Sequence, residues 1–374
     1  MAADLLLAFG TAALLPCDEV VEVDPRHPAC HPGFQLQVTV DDGIIRSADP
    51  RIGLMHRSAE KLFESRDLRQ AMLLADRHDW LCSFTSEVTV ALAAEDLLGI
   101  VPPERATWIR MLLLEVERIS ALLAFLAPVA GAMREEMEQA RARLVEIQEA
   151  ISGVRMHPGF ARLGGVASWI VDDDRAHLRT EMALLHGALP AWSPAIYEHA
   201  ERTAGLAVLS REQVVGLGVT GPVGRASGLD ADLRCDAPYL AYAAVNSLID
   251  PPSRTAGDAA ARTLALLDQL PIAAYLAVAA LDALDELGTG PIDVPLPKVV
   301  RLPEGMAYAA VEGPLGVSGA LLAGDGDKHP LRLKIRSASF ATLQALGPAL
   351  VGTPMDRLAD ALMSFPVVMG DADR

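Results

Sequence analysis

The chain has 374 residues, of which 51% are hydrophobic, and its formal net charge is −17 at pH 7. This apolar content is enough for a large folded core and argues against a disordered chain. The negative charge argues against binding to nucleic acid, because that binding depends on Lys and Arg side chains that neutralise phosphates. The cysteines are scattered without a CxxC pair, which favours buried free thiols over a zinc site or an iron–sulfur cluster.

The amino terminus, MAADLLLAFGTAALL, is apolar but does not resemble a signal peptide. Asp4 stands where such peptides carry a positive charge, so we expect a strand or a short helix there. We find no run of the roughly 18 to 20 apolar residues that span a bilayer. Membrane association is therefore expected to depend on partner proteins.

A β-hairpin is predicted shortly after this terminus. Residues 34–40, FQLQVTV, alternate apolar and polar side chains as in a half-buried strand, and the DDG at 41–43 suits a tight turn. The preceding loop, DPRHPACHPG, cannot be helical because its prolines lack a backbone N–H. His27 and His31 therefore stand on a stiff backbone. From these residues alone, the loop is either a structural turn or a functional site.

Helical periodicity dominates the chain after the hairpin. A helix is expected over 58–75 with Ser58 as its N-terminal cap, and others over 86–98 and 104–126. The last of these has apolar residues around most of its circumference, which predicts a central, buried helix. Further helices are expected over 134–151, 172–189, 193–208 and 255–287, followed by short strands near 307–311, 319–323 and 331–335.

The helix predicted over 104–126 also carries charged residues. At helical spacing such residues are most often ion-paired on the surface, and this is the interpretation that we favour over a chemical role. The residues concerned are Arg105, Arg110, Glu115, Glu117 and Arg118.

Several segments resemble, in order, the motifs of one protein family. HPACH and the later DPRIGLMHRSAEKL are similar to HPxxHG and DPHIGYLHRGxEKL of the quinone-site, 49 kDa-type subunit of proton-translocating NADH-quinone oxidoreductases, also called the D-type subunit. GVRMHPGFARLGGV, at 153–166, resembles the family's GxRMHPAYxRxGGV. The glycine-rich segment around GVTGPVGRASG, the segment GPLGVSGALLAGDGDKHPLRLKIR and the closing SFPVVMGDADR match further family motifs. The resemblance extends from about Val20 to Arg374.

The resemblance implies the fold of the nickel–iron hydrogenase large subunit, an α+β fold that is mainly α. We expect a β-rich part over residues 1–57, an α-helical core over 58–300 and a mixed C-terminal segment over 301–374. Those hydrogenases hold their metals with two CxxC pairs, and only Cys82 stands near one of these places. We therefore expect no nickel–iron centre and no metal ligands in this chain.

The resemblance also implies a role in quinone reduction. The chain would form part of a quinone pocket and bind no cofactor itself, while a neighbouring subunit's iron–sulfur cluster supplies electrons and the whole complex uses NADH. His31 matches the histidine that hydrogen-bonds a quinone carbonyl, and Trp80 stands in place of a tyrosine that provides a second hydrogen bond. Arg57 and His157 match residues beside the cluster. Further pocket or cluster-facing residues are expected to be His27, Arg77, Asp79 and Arg155.

Two departures from the family pattern concern proton delivery. Trp80 offers an indole N–H but no phenol that could give up a proton. Val129 stands where many relatives have an acid. The sequence thus leaves two alternatives open: a non-catalytic scaffold or assembly paralogue, and a subunit of a metal-free hydrogenase-like membrane complex.

The implied surroundings are those of a peripheral subunit. The expected partners are the iron–sulfur subunit next to the quinone site, a neighbour similar to the C-type subunit of such complexes, and the membrane arm, with no nucleic acid. The expected location is the cytoplasmic face of the cell membrane, and electron transfer is expected to be coupled to proton translocation.

Overall fold

Long helices build the core of the chain, and small sheets lie mainly near its two ends. The predicted α+β, mainly α class is therefore confirmed. The HPACH loop, with His27 and His31, lies outside the described residues, so the predictions for these histidines stay predictions. The computed structural model describes residues 3–9, 17–23, 33–250 and 252–374.

The N-terminal sheet has the strand order β2-β1-β3-β4. Strand β1 runs parallel to β2 and antiparallel to β3, and β3 and β4 form the predicted hairpin. Asp42 and Gly43 at its turn have φ values of 51° and 73°, the left-handed geometry that Asp-Gly supplies in tight hairpins. The strands are β1 (Ala3–Phe9), β2 (Glu19–Val23), β3 (Phe34–Asp41) and β4 (Ile44–Arg51).

The first predicted helix is two helices. Asp67 begins the second one, because its carboxylate accepts a hydrogen bond from the backbone N–H of Gln70. Ser58 occupies the N-cap position, but its φ is 58° and its side chain makes no capping hydrogen bond. The helices of this region are α1 (Ala59–Phe63), α2 (Leu68–Ala75), α3 (Ser83–Leu98), α4 (Glu104–Leu126) and α5 (Arg134–Ser152).

The predictions of separate helices over 172–189 and 193–208 are wrong, because the structure has one helix there. Pro190 and Pro194 lie inside it and remove two N–H donors. Trp192 and Ile196 are buried in the core and hold the segment in place. After the short strands β5 (Ala161–Arg162) and β6 (Gly165–Val166), the helices are α6 (Asp172–Thr203), α7 (Arg211–Gly216), α8 (Gly221–Ala226), α9 (Leu233–Asp236) and α10 (Ala259–Leu287).

Helix α10 is the central apolar helix of the fold. Among the described residues, α10 is a helix long and apolar enough to cross a membrane. The expectation that the chain has no such run is therefore wrong. However, 61% of the helix's most apolar 18-residue window is buried. Its apolar side chains pack along α4 and α6 and belong to the largest hydrophobic cluster of the protein.

The three predicted C-terminal strands form an antiparallel sheet of order β7-β8-β9, which is followed by helices. Helix α11 packs on β4, and the Asp373 carboxylate accepts hydrogen bonds from the backbone N–H groups of Gly53 and Met55 at 2.7 and 2.9 Å. The C-terminal tail thus packs against the segment after β4, and the division at 57/58 and 300/301 remains a proposal. The elements are β7 (Gly305–Gly313), β8 (Gly316–Gly324), β9 (Arg332–Arg336), α11 (Ala338–Leu350), α12 (Leu358–Met363) and α13 (Met369–Ala372).

Candidate functional site

The segment Asp76–Trp80, which links α2 to α3, is the place where several predicted site residues meet. Asp79 is buried, and its carboxylate accepts hydrogen bonds from the N–H groups of Leu81 and Cys82 at 3.0 and 2.8 Å. These bonds fix the chain at the start of α3. Burial, with a further contribution from Asp371, raises the pKa of Asp79 well above its usual range.

Arg57 and His157 both contact this segment from distant parts of the sequence. The Arg57 guanidinium donates to the carbonyl oxygen of Arg77 at 3.0 Å, and Nδ1 of His157 lies 2.8 Å from the carbonyl oxygen of Asp76. The Arg57 residue is exposed, and 18% of the His157 side chain is accessible. Both side chains therefore contact neighbouring residues of one segment and remain at least partly accessible, and their common position beside a cluster stays a prediction.

Two further predicted arginines lie near this surface. Nε of Arg77 is 3.1 Å from Oδ1 of Asp76, and half of the Arg77 side chain is exposed. Arg155 is exposed as well and lies 3.5 Å from Glu149. We name the four residues Arg57, Arg77, Arg155 and His157 the basic surface.

Glu87, a residue that the sequence did not single out, holds the His157 loop in place. Its carboxylate accepts hydrogen bonds from the N–H groups of Gly159, Phe160 and Ala161 at 2.6 to 2.9 Å. Burial, supported by the neighbouring Asp76 carboxyl, raises the pKa of Glu87 to about 9. His157 itself has a left-handed φ of 59°, a strained value for a residue with a Cβ.

A cavity of about 340 Å³ opens beside Trp80, and we name it the Trp80 cavity. Glu117 of α4 lies in its wall, almost completely buried. Its carboxylate accepts hydrogen bonds from the N–H of Phe84 at 2.7 Å and from the N–H and hydroxyl of Thr85 at 2.9 and 2.6 Å. Burial raises the pKa of Glu117 to about 7. Other lining residues come from α3, α4, α5 and the basic surface: Ser83, Ser120, Glu138, Arg141 and Arg155.

The C-terminal tail packs against the Trp80 segment. A Cβ at Gly370 would lie 2.2 Å from the carbonyl oxygen of His78 and 2.6 Å from the Trp80 ring, so only glycine allows this contact. His78 is buried, and the Ala75 backbone and the Asp371 carboxylate are the groups close to its ring. Its Nε2 lies 3.7 Å from Asp371, and burial lowers the pKa of His78. Gly370, the glycine of the closing SFPVVMGDADR motif, thus allows the tail to pack against His78 and Trp80.

The charged residues of α4 are buried, and the prediction that they lie on the surface is wrong. Partners on other elements and on α4 itself compensate the free-energy cost of burying these charges. Arg110 makes two hydrogen bonds to the Glu95 carboxylate at 2.9 and 2.6 Å. Glu115 lies 3.0 Å from Arg118 and 3.4 Å from Arg234, and accepts from the Tyr242 hydroxyl at 2.6 Å.

Val129, which the resemblance places where many relatives have an acid, is buried and lines a different cavity of about 520 Å³ together with His199 and Asp360. In the described part of the chain, no three His, Cys, Asp or Glu side chains are grouped to hold a metal ion. Burial raises the pKa of Cys82 well above its usual range, so its sulfur stays a thiol.

Comparison with known proteins identifies the class first. A solved structure of the membrane-bound sulfane sulfur reductase, an archaeal respiratory membrane complex, contains a chain with a TM-score of 0.86 and 29% identity, over 94% of this chain and 97% of that chain. The fold is therefore that of a subunit found in a membrane-bound respiratory complex.

The family follows from sequence comparison. The family model described as respiratory-chain NADH dehydrogenase, 49 Kd subunit, matches residues 131–300 and 294–374. The NADH-quinone oxidoreductase D-type subunit 2 of Salinispora arenicola is 42% identical over 98% of both chains, and the D-type subunit 1 of Streptomyces coelicolor is 42% identical over 96% of this chain and 95% of that one. The chain belongs to the family of the 49 kDa, D-type subunit of respiratory-chain NADH dehydrogenases, and the resemblance found in its sequence is confirmed.

Proposed function

We propose that the chain is the subunit of an NADH-quinone oxidoreductase that forms part of the quinone-reduction pocket. It would pass electrons from a neighbouring subunit's iron–sulfur cluster to quinone, and this transfer would be coupled to proton translocation. The observation that carries the proposal is the Asp76–Trp80 segment, which has the Trp80 cavity at one end and the contacts to Arg57 and His157 at the other.

The Trp80 cavity supports binding of a small ring with polar substituents. Its volume of about 340 Å³ lies within the range of small-molecule sites, and its lining combines apolar and polar groups. The Trp80 indole supplies a flat apolar face and a hydrogen-bond donor. His31, from the loop outside the described residues, would donate the hydrogen bond to one quinone carbonyl.

The basic surface supports the position of the neighbour's cluster. An iron–sulfur cluster gains negative charge when it accepts an electron, so positive or protonatable groups beside it favour its reduction. Arg57, Arg77, Arg155 and His157 are such groups and remain accessible in the isolated chain. The partner that covers them would be the iron–sulfur subunit, with a neighbour similar to the C-type subunit and the membrane arm nearby at the cytoplasmic face of the membrane.

The test of this proposal is His31→Ala in the assembled complex. We expect NADH-driven quinone reduction to fall on the order of 10²-fold, the usual contribution of a positioned proton donor. Reduction of ferricyanide, which does not need the quinone pocket, should be unchanged. His329→Ala is the matched control, because His329 lies in an exposed turn beside Asp327.

The outcome that favours the scaffold alternative is equally specific. In that case His31→Ala would leave quinone turnover unchanged, while deletion of the whole chain would prevent assembly of the complex.

A further inference from the structure

The Trp80 cavity needs a source of protons if quinone is reduced there. Conversion of a quinone to a quinol takes up two electrons, which NADH supplies through the complex, and two protons. Trp80 cannot provide a proton, because its indole N–H does not titrate in the accessible pH range. This inference rests on the proposed function and names a further residue of the same site.

Glu117 is placed to fill this role. It lies on α4 one turn before Ser120, and both residues line the cavity. Only 4% of Glu117 is exposed, so its carboxyl group is shielded from bulk water. The first turn of α3 donates hydrogen bonds to the Glu117 carboxylate. The Phe84 N–H donates to one oxygen, and the Thr85 N–H and hydroxyl donate to the other.

We infer that Glu117 is the carboxylic acid that gives a proton to quinone bound in the Trp80 cavity. The O–H bond of Glu117 breaks, and the proton goes to a quinone oxygen that has gained negative charge from the incoming electrons. The carboxylate left behind is stabilised by its hydrogen bonds to Phe84 and Thr85. The second proton reaches the other quinone oxygen from solvent through the open mouth of the cavity, and Glu117 regains its own proton from water between turnovers.

The electrostatic surroundings suit a proton donor near neutral pH. Burial raises the pKa of Glu117 to about 7, against the opposing effect of its hydrogen bonds and of Arg118. A donor works best when its pKa lies near the working pH, since it is then often protonated and still releases its proton readily. Titratable and charged groups face Glu117 from the loop before α3, from α4 and α5, and from the basic surface. They are Asp79, Cys82, Arg118, Glu138, Arg141 and Arg155.

The experiment compares variants of the assembled complex, with a short-chain ubiquinone and a short-chain menaquinone as parallel acceptors, between pH 5.5 and 9. Glu117 acts in its protonated form, so wild-type turnover should fall as the pH rises through about 7. Glu117→Gln should lower turnover at pH 7 on the order of 10²-fold and remove this fall. Glu135→Gln, at an exposed carboxyl of α5 outside the lining of the cavity, should leave both the rate and the profile unchanged.

Thr85→Val is the second variant, and it keeps the test decisive if Glu117→Gln does not assemble. It removes one hydrogen bond to the carboxylate form, so the pKa of Glu117 rises and the fall in turnover moves to higher pH. An unchanged midpoint in Thr85→Val, or a normal rate and profile in Glu117→Gln, overturns the inference while the quinone pocket stands. A wild-type complex that reduces ferricyanide but neither quinone overturns the proposed function and this inference together.

Discussion

The sequence resemblance places Trp80 where the family's motif has a tyrosine. Its ring lies against Gly370 of the C-terminal tail and beside the cavity to which the proposal assigns quinone. A tryptophan there conserves a flat apolar surface and one hydrogen-bond donor but loses an exchangeable proton. On the proposed function the loss concerns proton supply rather than binding, and Glu117 is the acid to which we assign that supply.

Trp80→Tyr tests this separation of binding from proton supply. Tyrosine restores a phenol and removes ring volume, so we expect quinone turnover to be unchanged or raised, with a similar KM. The measurement is the steady-state rate of quinone reduction by the assembled complex. Trp169→Tyr, at a half-exposed site where the indole stacks on Arg105, is the control. A tenfold fall in turnover that is specific to Trp80→Tyr would show that the indole itself is required.

Glu87 and Asp76 show how a functional surface depends on residues without a motif of their own. Glu87 lies on α3 between Ser86 and Val88, and nothing in its spacing distinguishes it from other helix acids. Only the fold brings three backbone N–H groups of the His157 loop onto its carboxylate. The strained His157 conformation is held by these bonds and by the bond of the ring to Asp76.

At the scale of elements, α4 is the helix for which prediction and structure differ most, because its charged residues were predicted on the surface and are buried. Its length of 23 residues corresponds to roughly 34 Å, so it crosses the core. It packs against α10 over much of that length, with charges that bind β-strands, loops and α9. The charges connect the helical core to the parts around it.

Replacement of Arg110 by methionine tests this connecting role. Arg110 binds Glu95 and the carbonyl oxygens of Arg162 and Gly165, so Arg110→Met leaves a buried carboxylate without its partner. We expect a loss of about 3 to 5 kcal/mol in the free energy of unfolding. Urea unfolding of the purified chain followed by circular dichroism measures it.

The matched control is Arg134→Met. Arg134 forms an exposed ion pair with Glu138 on the same helix face, and pairs of that kind contribute at most about 0.5 kcal/mol. Equal effects of the two substitutions would contradict a structural role for the buried pair.

At the scale of the whole molecule, the chain combines a hydrogenase-type fold with few thiols. Soft thiolate ligands are needed for a nickel–iron centre, and the cysteines stand apart in the sequence. We therefore expect the purified chain to bind neither nickel nor iron in stoichiometric amounts. Elemental analysis by mass spectrometry measures this, with a metal-binding hydrogenase large subunit as the positive control. One nickel or iron atom per chain would contradict the expectation.

The sequence by itself determined the family, the hairpin, the bounds of α4 and the three C-terminal strands. The hairpin, the helix and the strands depend on short-range rules that a single stretch of chain satisfies alone. The Asp-Gly turn needs only positive φ values, and α4 runs from just after Pro103 to just before Ala127-Pro128. Alternating apolar residues likewise specify a strand without reference to the rest of the molecule.

The tertiary structure alone decided which charges are buried and which site residues meet. Glu115 meets Arg234, and His157 meets Asp76, across 119 and 81 residues of sequence. Helical periodicity places the α4 charges on a face but does not say whether that face meets water or another element. The fusion of α6 across Pro190 and Pro194 has the same origin, because contacts with the core outweigh the local preference of proline. Glu117 belongs to the Trp80 cavity for this reason too: the start of α3, not the spacing along α4, supplies the hydrogen bonds that fix its carboxylate there.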